Sequence, residues 1–127
     1  MGDRGQVRII KQGNPDLYFY THWDASGLEG VIAGALEVAR ERWDDYPYFN
    51  RIIFTEMIRD SFDSTLGYGI DFEEYGDVWK VITLDYDKRT VNIRAMVKSM
   101  TNFDYDVDFS YEEFIERFML EDEIKEI

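Results

Sequence analysis

The chain contains no cysteine, which excludes disulfide bonds and thiolate metal sites. Histidine occurs only once, so paired-histidine metal motifs are also absent. Proline occurs twice. No apolar stretch reaches the ~18 residues of a membrane span, and the N-terminal segment lacks the apolar run of a signal peptide. We therefore expect a soluble, cytoplasmic protein with no membrane partner.

Basic residues are scarce, with 14 Lys and Arg against 27 Asp and Glu, for a net charge of −13. A protein that binds a phosphate backbone needs a positively charged surface, and the sequence contains no basic cluster of that kind. This composition argues against direct nucleic-acid binding. It suits a basic protein partner, or serves only solubility. No cofactor motif is present, and we expect no cofactor.

The 127 residues fit one domain, which we assign to residues 1–127. Hydrophobic residues make up 45% and aromatic residues 17%, which is enough for a core without covalent cross-links. Aromatic side chains are also enriched at protein interfaces, so a homodimer is a further expectation.

Turn-forming residue types and changes of hydrophobic period divide the chain into strands and helices. Residues 13–16 and 87–89 predict tight turns, each between two strands. Such hairpins favour a mainly antiparallel sheet of about five to six strands, in an α+β fold of order β-β-α-α-β-β-β-β-α. The predicted strands are residues 6–12, 17–23, 68–75, 78–86, 90–98 and 103–109, and the predicted helices are residues 28–43, 48–62 and 111–119.

Two helix starts carry the pattern of a capping box, a serine followed three residues later by glutamate. Ser26 with Glu29 predicts the start of the first helix, and Ser110 with Glu113 predicts the start of the last. Residues 121–127 are acidic and either continue that last helix or fray from it.

Short motifs along the chain, in their order, resemble a family of short proteins from microbial and viral genomes with no established activity. The likeness covers most of residues 1–70 and weakens afterwards. It implies a single compact domain and assigns no catalytic residue. The motifs are Gly2-x-Arg4-Gly5, Tyr20-Thr21-His22-Trp23, Arg42-Trp43-Asp44-Asp45, Tyr48, Arg51-Ile52-Ile53-Phe54, Met57-Ile58, Gly67-Tyr68-Gly69-Ile70 and Ser110-x-Glu112-Glu113-Phe114.

Asp104, Asp106 and Asp108 alternate with apolar residues near the C-terminal end. An EF-hand loop counted from Asp104 would need glycine and glutamate where Phe109 and Ile115 stand, so calcium binding is not predicted. Period-2 alternation instead predicts a solvated strand face with carboxylates roughly 6.6–6.8 Å apart. We interpret this row as a solvated face, with binding of a basic partner or imitation of a nucleic-acid backbone as sharper hypotheses.

His22 and Asp24 are the only catalytic candidates. They lie in a stretch, residues 21–27, where a strand meets a helix start, a position that can hold an anion. Asp24 and Glu29 place negative charge at that same end, which opposes phosphate binding. The default state of His22 is therefore a packed, hydrogen-bonded imidazole beside Tyr20 and Trp23.

Carboxylates together with His22 could also form a metal-assisted hydrolytic site. The sequence has no HExxH and no diagnostic spacing, so clustering by chance is the simpler explanation. We therefore expect a non-enzymatic protein-binding or regulatory module, with a small hydrolase as the alternative. The residues considered for that alternative are His22, Asp24, Asp44, Asp45 and Glu56.

Overall fold

A computed structural model describes residues 2–119 of the chain. It contains one six-stranded sheet, and the α+β prediction is confirmed. No helix in this part of the chain has the length and apolar character to span a membrane. The strands are β1 (Gly5–Ile10), β2 (Leu17–Thr21), β3 (Tyr68–Asp71), β4 (Lys80–Asp85), β5 (Thr90–Ala95) and β6 (Tyr105–Ser110), and the helices are α1 (Leu28–Val38), α2 (Tyr46–Ile58) and α3 (Tyr111–Phe118).

The strand order across the sheet is β3-β2-β1-β4-β5-β6. Both predicted hairpins are present as antiparallel pairs, β1 with β2 and β4 with β5. The two central strands, β1 and β4, are parallel. A parallel pair needs a long crossover, and here the crossover contains α1, α2 and β3. The sheet is thus mainly antiparallel around one parallel junction.

Several predicted elements are longer than the observed ones. The first helix was expected to run over residues 28–43, but α1 ends at Val38 and a separate 3₁₀ turn follows at Arg40–Arg42. The predicted strand over residues 68–75 ends at Asp71, because the chain then turns to cross the sheet. The acidic residues 121–127 lie outside the described residues.

The core lies between one face of the sheet and the three helices of the described region. Alternate residues of the central strands point to this side, as period-2 side chains must. Pro47 lies in the first turn of α2, where a proline costs no helical hydrogen bond. The buried sheet residues include Val7, Ile9, Ile82, Leu84, Val91 and Ile93, and the helices contribute Ile32, Leu36, Phe49, Ile53, Phe114 and Ile115.

The capping box predicted at Ser26 is wrong. The backbone N–H and the hydroxyl of Ser26 both donate to the carboxylate of Asp3, at 2.9 and 2.6 Å. Glu29 accepts a hydrogen bond from the ammonium of Lys80 at 2.6 Å and does not reach back to the helix start. Helix α1 therefore begins after Gly27 with no side-chain cap. Contacts distant in sequence outcompeted the local motif.

The capping box predicted at Ser110 is confirmed. The backbone N–H of Glu113 donates to the Ser110 hydroxyl at 3.1 Å, and the Ser110 N–H donates to the Glu113 carboxylate at 2.8 Å. β6 ends at Ser110, the capping residue, and α3 begins at the next residue, Tyr111.

Ser110→Ala is expected to lower the free energy of unfolding by about 1 kcal/mol, because the first turn of α3 loses its side-chain acceptor. Urea denaturation followed by circular dichroism measures the loss. Ser61→Ala is the matched control, since Ser61 forms hydrogen bonds within the described residues only through its backbone. Equal losses in the two variants would contradict a stabilising cap.

Candidate functional site

The face of the sheet opposite the helices is covered over only part of its area. Residues 72–79 connect β3 to β4 and cross this face. The buried Gln6 side chain fixes the crossing segment, donating to the Glu73 carbonyl at 3.1 Å and accepting from the Tyr75 N–H at 2.9 Å. The Tyr75 ring also meets Tyr20 edge to face, with centroids 5.3 Å apart. One half of the face is thereby closed and the other half is open.

A hydrogen bond anchors the same segment at its start. The Tyr75 hydroxyl donates to the Asp71 carboxylate at 2.6 Å, which raises the pKa of Tyr75 to about 12 and lowers the pKa of Asp71. The crossing segment is therefore tied to β3 as well as to β1. These contacts define where the open half of the face begins.

A row of polar side chains runs across the open half, perpendicular to the strands. Arg8 on β1 is in register with Thr83 on β4, which is in register with Asn92 on β5. Asn92 is in register with Asp108 on the edge strand β6. Register partners share a face, and neighbouring strands lie about 4.7–4.9 Å apart, so the four side chains are adjacent. We name these four residues the transverse row.

Two cavities adjoin the transverse row at the carboxyl ends of β1 and β4. The chain leaves β1 towards β2 and leaves β4 towards β5, in opposite directions, which opens a crevice between the two turns. The larger cavity, about 430 Å³, is lined by Arg8, Ile10, Thr83, Asp85, Lys88, Thr90, Asn92 and Asp108. The smaller cavity, about 320 Å³, shares Arg8, Ile10, Asp85 and Lys88 and extends to Lys11, Gln12, Asp16 and Asp87.

The two arginines on this face are already paired. Arg8 donates to the Asp16 carboxylate through Nε at 2.9 Å and through Nη2 at 2.5 Å. Arg94 donates to Glu74, on the crossing segment, at 2.5 Å. Both arginines are thus paired with carboxylates that do not belong to the acidic edge strand. Arg8 uses Nε and Nη2 for Asp16, and its Nη1 donates no hydrogen bond within the described residues.

Asp106 and Asp108 point from β6 to the open face, as the alternation predicts. The side-chain amide of Asn92 donates to both carboxylates, at 2.6 and 2.9 Å. Within residues 2–119 neither carboxylate forms an ion pair. Two exposed negative charges therefore stand side by side on an edge strand and share only a neutral donor.

Asp104 has a different role from the other two aspartates. It precedes β6, and its carboxylate accepts backbone N–H groups from Val97 at 2.7 Å, Lys98 at 2.8 Å and Ser99 at 2.9 Å. These hydrogen bonds, with Val97 first, lower the pKa of Asp104. Asp104 thus organises the loop between β5 and β6, and the predicted row of three aspartates reduces to two on the strand.

His22 and Asp24 lie close in sequence but face different surroundings. The His22 Nδ1 is 2.9 Å from the Tyr20 hydroxyl, as expected for a hydrogen-bonded imidazole. Asp24 accepts a hydrogen bond from the Tyr68 hydroxyl and borders a cavity of about 510 Å³. His22 does not line that cavity. The residues that line it are Trp23, Asp24, Ser26, Gly27, Val31, Glu56, Met57, Asp60, Ser61 and Tyr68.

The carboxylates considered for a metal centre are not gathered with His22. In the described part of the chain, no three His, Asp or Glu side chains form a group suited to a metal ion. Glu56 instead accepts from Arg59 at 2.7 Å, and Asp45 precedes the start of α2. The clustering on which the hydrolase alternative depends is absent from residues 2–119.

Sequence reasoning missed four residues that lie on three different strands and line one cavity: Arg8 on β1, Thr83 and Asp85 on β4, and Asn92 on β5. Each is a polar residue in a strand where polar and apolar residues alternate. That alternation predicts that the side chain lies on the outer face, but it does not predict which residues of other strands lie beside it. Their convergence depends on the parallel pairing of β1 with β4, which no hairpin signal predicts.

Comparison of the chain with protein-family models, curated proteins and solved structures gave no match.

Proposed function

We propose that this domain is a non-enzymatic binding module that takes an extended, basic segment of a partner protein along the edge strand β6. The observation that carries the proposal is the pair of exposed carboxylates, Asp106 and Asp108, on an edge strand without cationic partners in the described chain. A partner with basic residues at alternating positions supplies the missing positive charges.

The position of β6 at the edge supports this mode of binding. Within residues 2–119 it has a strand neighbour on one side only, β5. An added strand forms main-chain hydrogen bonds to such an edge, and its alternate side chains fall on the face of Asp106 and Asp108. Cross-strand pairs lie about 4.5–5.5 Å apart at Cβ, which suits contacts between lysine or arginine and aspartate.

Charge also explains why the edge would be selective. Acidic side chains on an edge strand disfavour pairing with neutral or acidic strands, including copies of the same strand. Asp106 and Asp108 attract a basic segment and repel an acidic one. The same two carboxylates therefore disfavour aggregation and favour binding of the basic partner. The surplus of acid over the whole chain adds a long-range attraction for basic proteins.

A protein segment fits this surface better than the two other hypotheses do. Imitation of a nucleic-acid backbone calls for a continuous row of carboxylates, and Asp104 is engaged by the loop at residues 97–99. The hydrolase alternative calls for His22 and Asp24 in one pocket, and only Asp24 borders the neighbouring cavity.

The double variant Asp106→Asn, Asp108→Asn is expected to weaken binding of an arginine-rich synthetic peptide by about tenfold or more, since two attractive charge contacts are lost. Asparagine preserves the shape of each side chain and its contact with the Asn92 amide. Isothermal titration at low and at physiological salt measures the change, and the wild-type affinity is expected to fall as salt rises.

The matched control is Glu41→Gln, Asp63→Asn, which removes the same charge from exposed positions away from the sheet. This control is expected to bind the peptide nearly as well as wild type. A loss of equal size in both double variants would mean that binding follows net charge, and the proposed site on β6 would be rejected.

Self-association stays a prediction. Large apolar side chains are exposed near the opposite edge of the sheet, at Phe62, Leu66, Ile70 and Phe72. Sedimentation velocity across a concentration series distinguishes a monomer from a homodimer, and it does so independently of the peptide experiment.

A further inference from the structure

The centre of the transverse row contains a buried polar atom with no partner. Thr83 is 7% exposed, and its hydroxyl oxygen forms no hydrogen bond within the described residues. A buried hydroxyl without a partner destabilises a fold, because it loses its hydrogen bonds to water without replacement. Thr83 also lines the larger cavity, so the unused hydroxyl belongs to a residue that borders a space able to hold a ligand.

The side chains around Thr83 carry both signs of charge. Asp85 and Asp108 contribute carboxylates, and Arg8 and Lys88 contribute cations to the same lining. Lys88 is exposed and forms no ion pair in the described part of the chain. A ligand with a single charge would meet a like charge on this lining. A small ligand with both charges offers a carboxylate to the cations and an ammonium to the carboxylates of this lining.

Asn92 adds a free acceptor to this lining. Its amide nitrogen is used by the carboxylates of Asp106 and Asp108 and by the Val107 carbonyl, while its Oδ1 receives no hydrogen bond within residues 2–119. An ammonium group is a donor only, so it can use this oxygen together with the Asp108 carboxylate.

We infer that the cavity over Thr83 is a binding site for a small zwitterion of the α-amino acid class. The ligand carboxylate is placed by Lys88 and by Nη1 of Arg8, the guanidinium nitrogen that Asp16 does not occupy, with a hydrogen bond from the Thr83 hydroxyl. The ligand ammonium is placed by Asp85, Asp108 and the Asn92 carbonyl oxygen. The volume of about 430 Å³ lies within the range of about 300–1,000 Å³ typical of small-molecule sites.

Access of the ligand to Thr83 requires one local change. The hydroxyl is enclosed in the free protein, whereas part of the residue borders the cavity. Rotation about χ1 exchanges hydroxyl and methyl between staggered positions and brings the oxygen to the cavity surface. Rotamer changes of this kind commonly accompany binding.

This inference goes beyond the proposed function, since it concerns a small molecule in the cavity over Thr83, and the two sites share Asp108. Asp106 belongs to the edge surface and does not line the cavity. The single variant Asp106→Asn should therefore weaken peptide binding and leave amino-acid binding unchanged, which separates failure of one proposal from failure of the other.

The test is titration of the folded full chain with each of the standard L-α-amino acids at millimolar concentration, followed by amide NMR. We expect at least one to shift the resonances around Arg8, Thr83 and Asn92. Its N-acetyl derivative lacks the ammonium and its amide lacks the carboxylate, so both should lose binding. Absence of binding by every amino acid, or equal binding by the blocked forms, would overturn the inference.

Thr83→Val and Thr83→Ser test the hydroxyl itself. Valine removes it at nearly constant shape, and we expect about tenfold weaker binding with stability equal to or above wild type. Serine keeps the hydroxyl and should retain binding. Unchanged binding by Thr83→Val, or destabilisation on loss of the hydroxyl alone, would contradict a hydroxyl reserved for a ligand.

Discussion

Replacement of Glu29 by alanine is expected to lower the free energy of unfolding by about 3 kcal/mol. Lys80 is only 3% exposed, and its ammonium is held by the Glu29 carboxylate at 2.6 Å and the Ala25 carbonyl at 2.8 Å. Loss of the carboxylate leaves a buried cation without its counter-charge, which costs about 3–5 kcal/mol. Because the Glu29 side chain is 22% exposed, we place the loss at the lower end of that range.

Removal of the other partner should cost much less. Lys80→Met deletes the buried charge, and the methionine side chain replaces much of the lysine stem. Glu29 can then be hydrated at its exposed part, so we expect a loss of about 1 kcal/mol, mainly from the Ala25 carbonyl left without its donor. Urea denaturation of both variants measures the asymmetry. Equal losses would contradict a dominant cost of desolvated charge.

Gly67→Ala is expected to be the most destabilising single-methyl change in the turns of the described region. Gly67 has φ +95, and a Cβ at this position would lie 2.2 Å from Cζ2 and 2.5 Å from Cη2 of Trp23. The backbone conformation costs about 1–2 kcal/mol for alanine, and displacement of the Trp23 ring adds about 1–3 kcal/mol. The Gly67 carbonyl also accepts from the His22 N–H at 2.8 Å, so movement of the turn disturbs that bond.

Gly13→Ala is the matched control for this substitution. Gly13 has φ +85, but nothing lies within 4 Å of a Cβ placed there. It should therefore show only the backbone cost of about 1–2 kcal/mol. The difference between the two variants, measured by thermal and chemical denaturation, isolates the clash with Trp23. If both variants lose the same stability, the ring does not constrain Gly67.

Local signals in the sequence predicted the elements that depend on neighbouring residues. The Ser110 cap, the turn at residues 87–89 and the outward phase of Asp106 and Asp108 all follow from patterns within a few positions. The Ser26 cap failed because Asp3, distant along the chain, captured its hydroxyl. Local chemistry is thus a sound guide only where no distant group competes for the same atoms.

The candidate site shows the same limit. Arg8 and Thr83 are 75 positions apart in the sequence and become neighbours through the parallel pairing of β1 with β4. The transverse row, the buried Lys80 and the cavity over Thr83 all depend on that pairing. The alternation of polar and apolar residues in a single sequence predicts which face of the sheet each side chain lies on. It does not predict the register in which two distant strands pair.

The most direct test of the proposed function is the map of amide chemical-shift changes when the arginine-rich peptide is added to the labelled protein. We predict that the changes concentrate in β5 and β6, at residues 90–95 and 105–110, and that they fade in the Asp106→Asn, Asp108→Asn variant. Changes concentrated on α1 and α2, or spread evenly over the acidic surface, would contradict binding along β6.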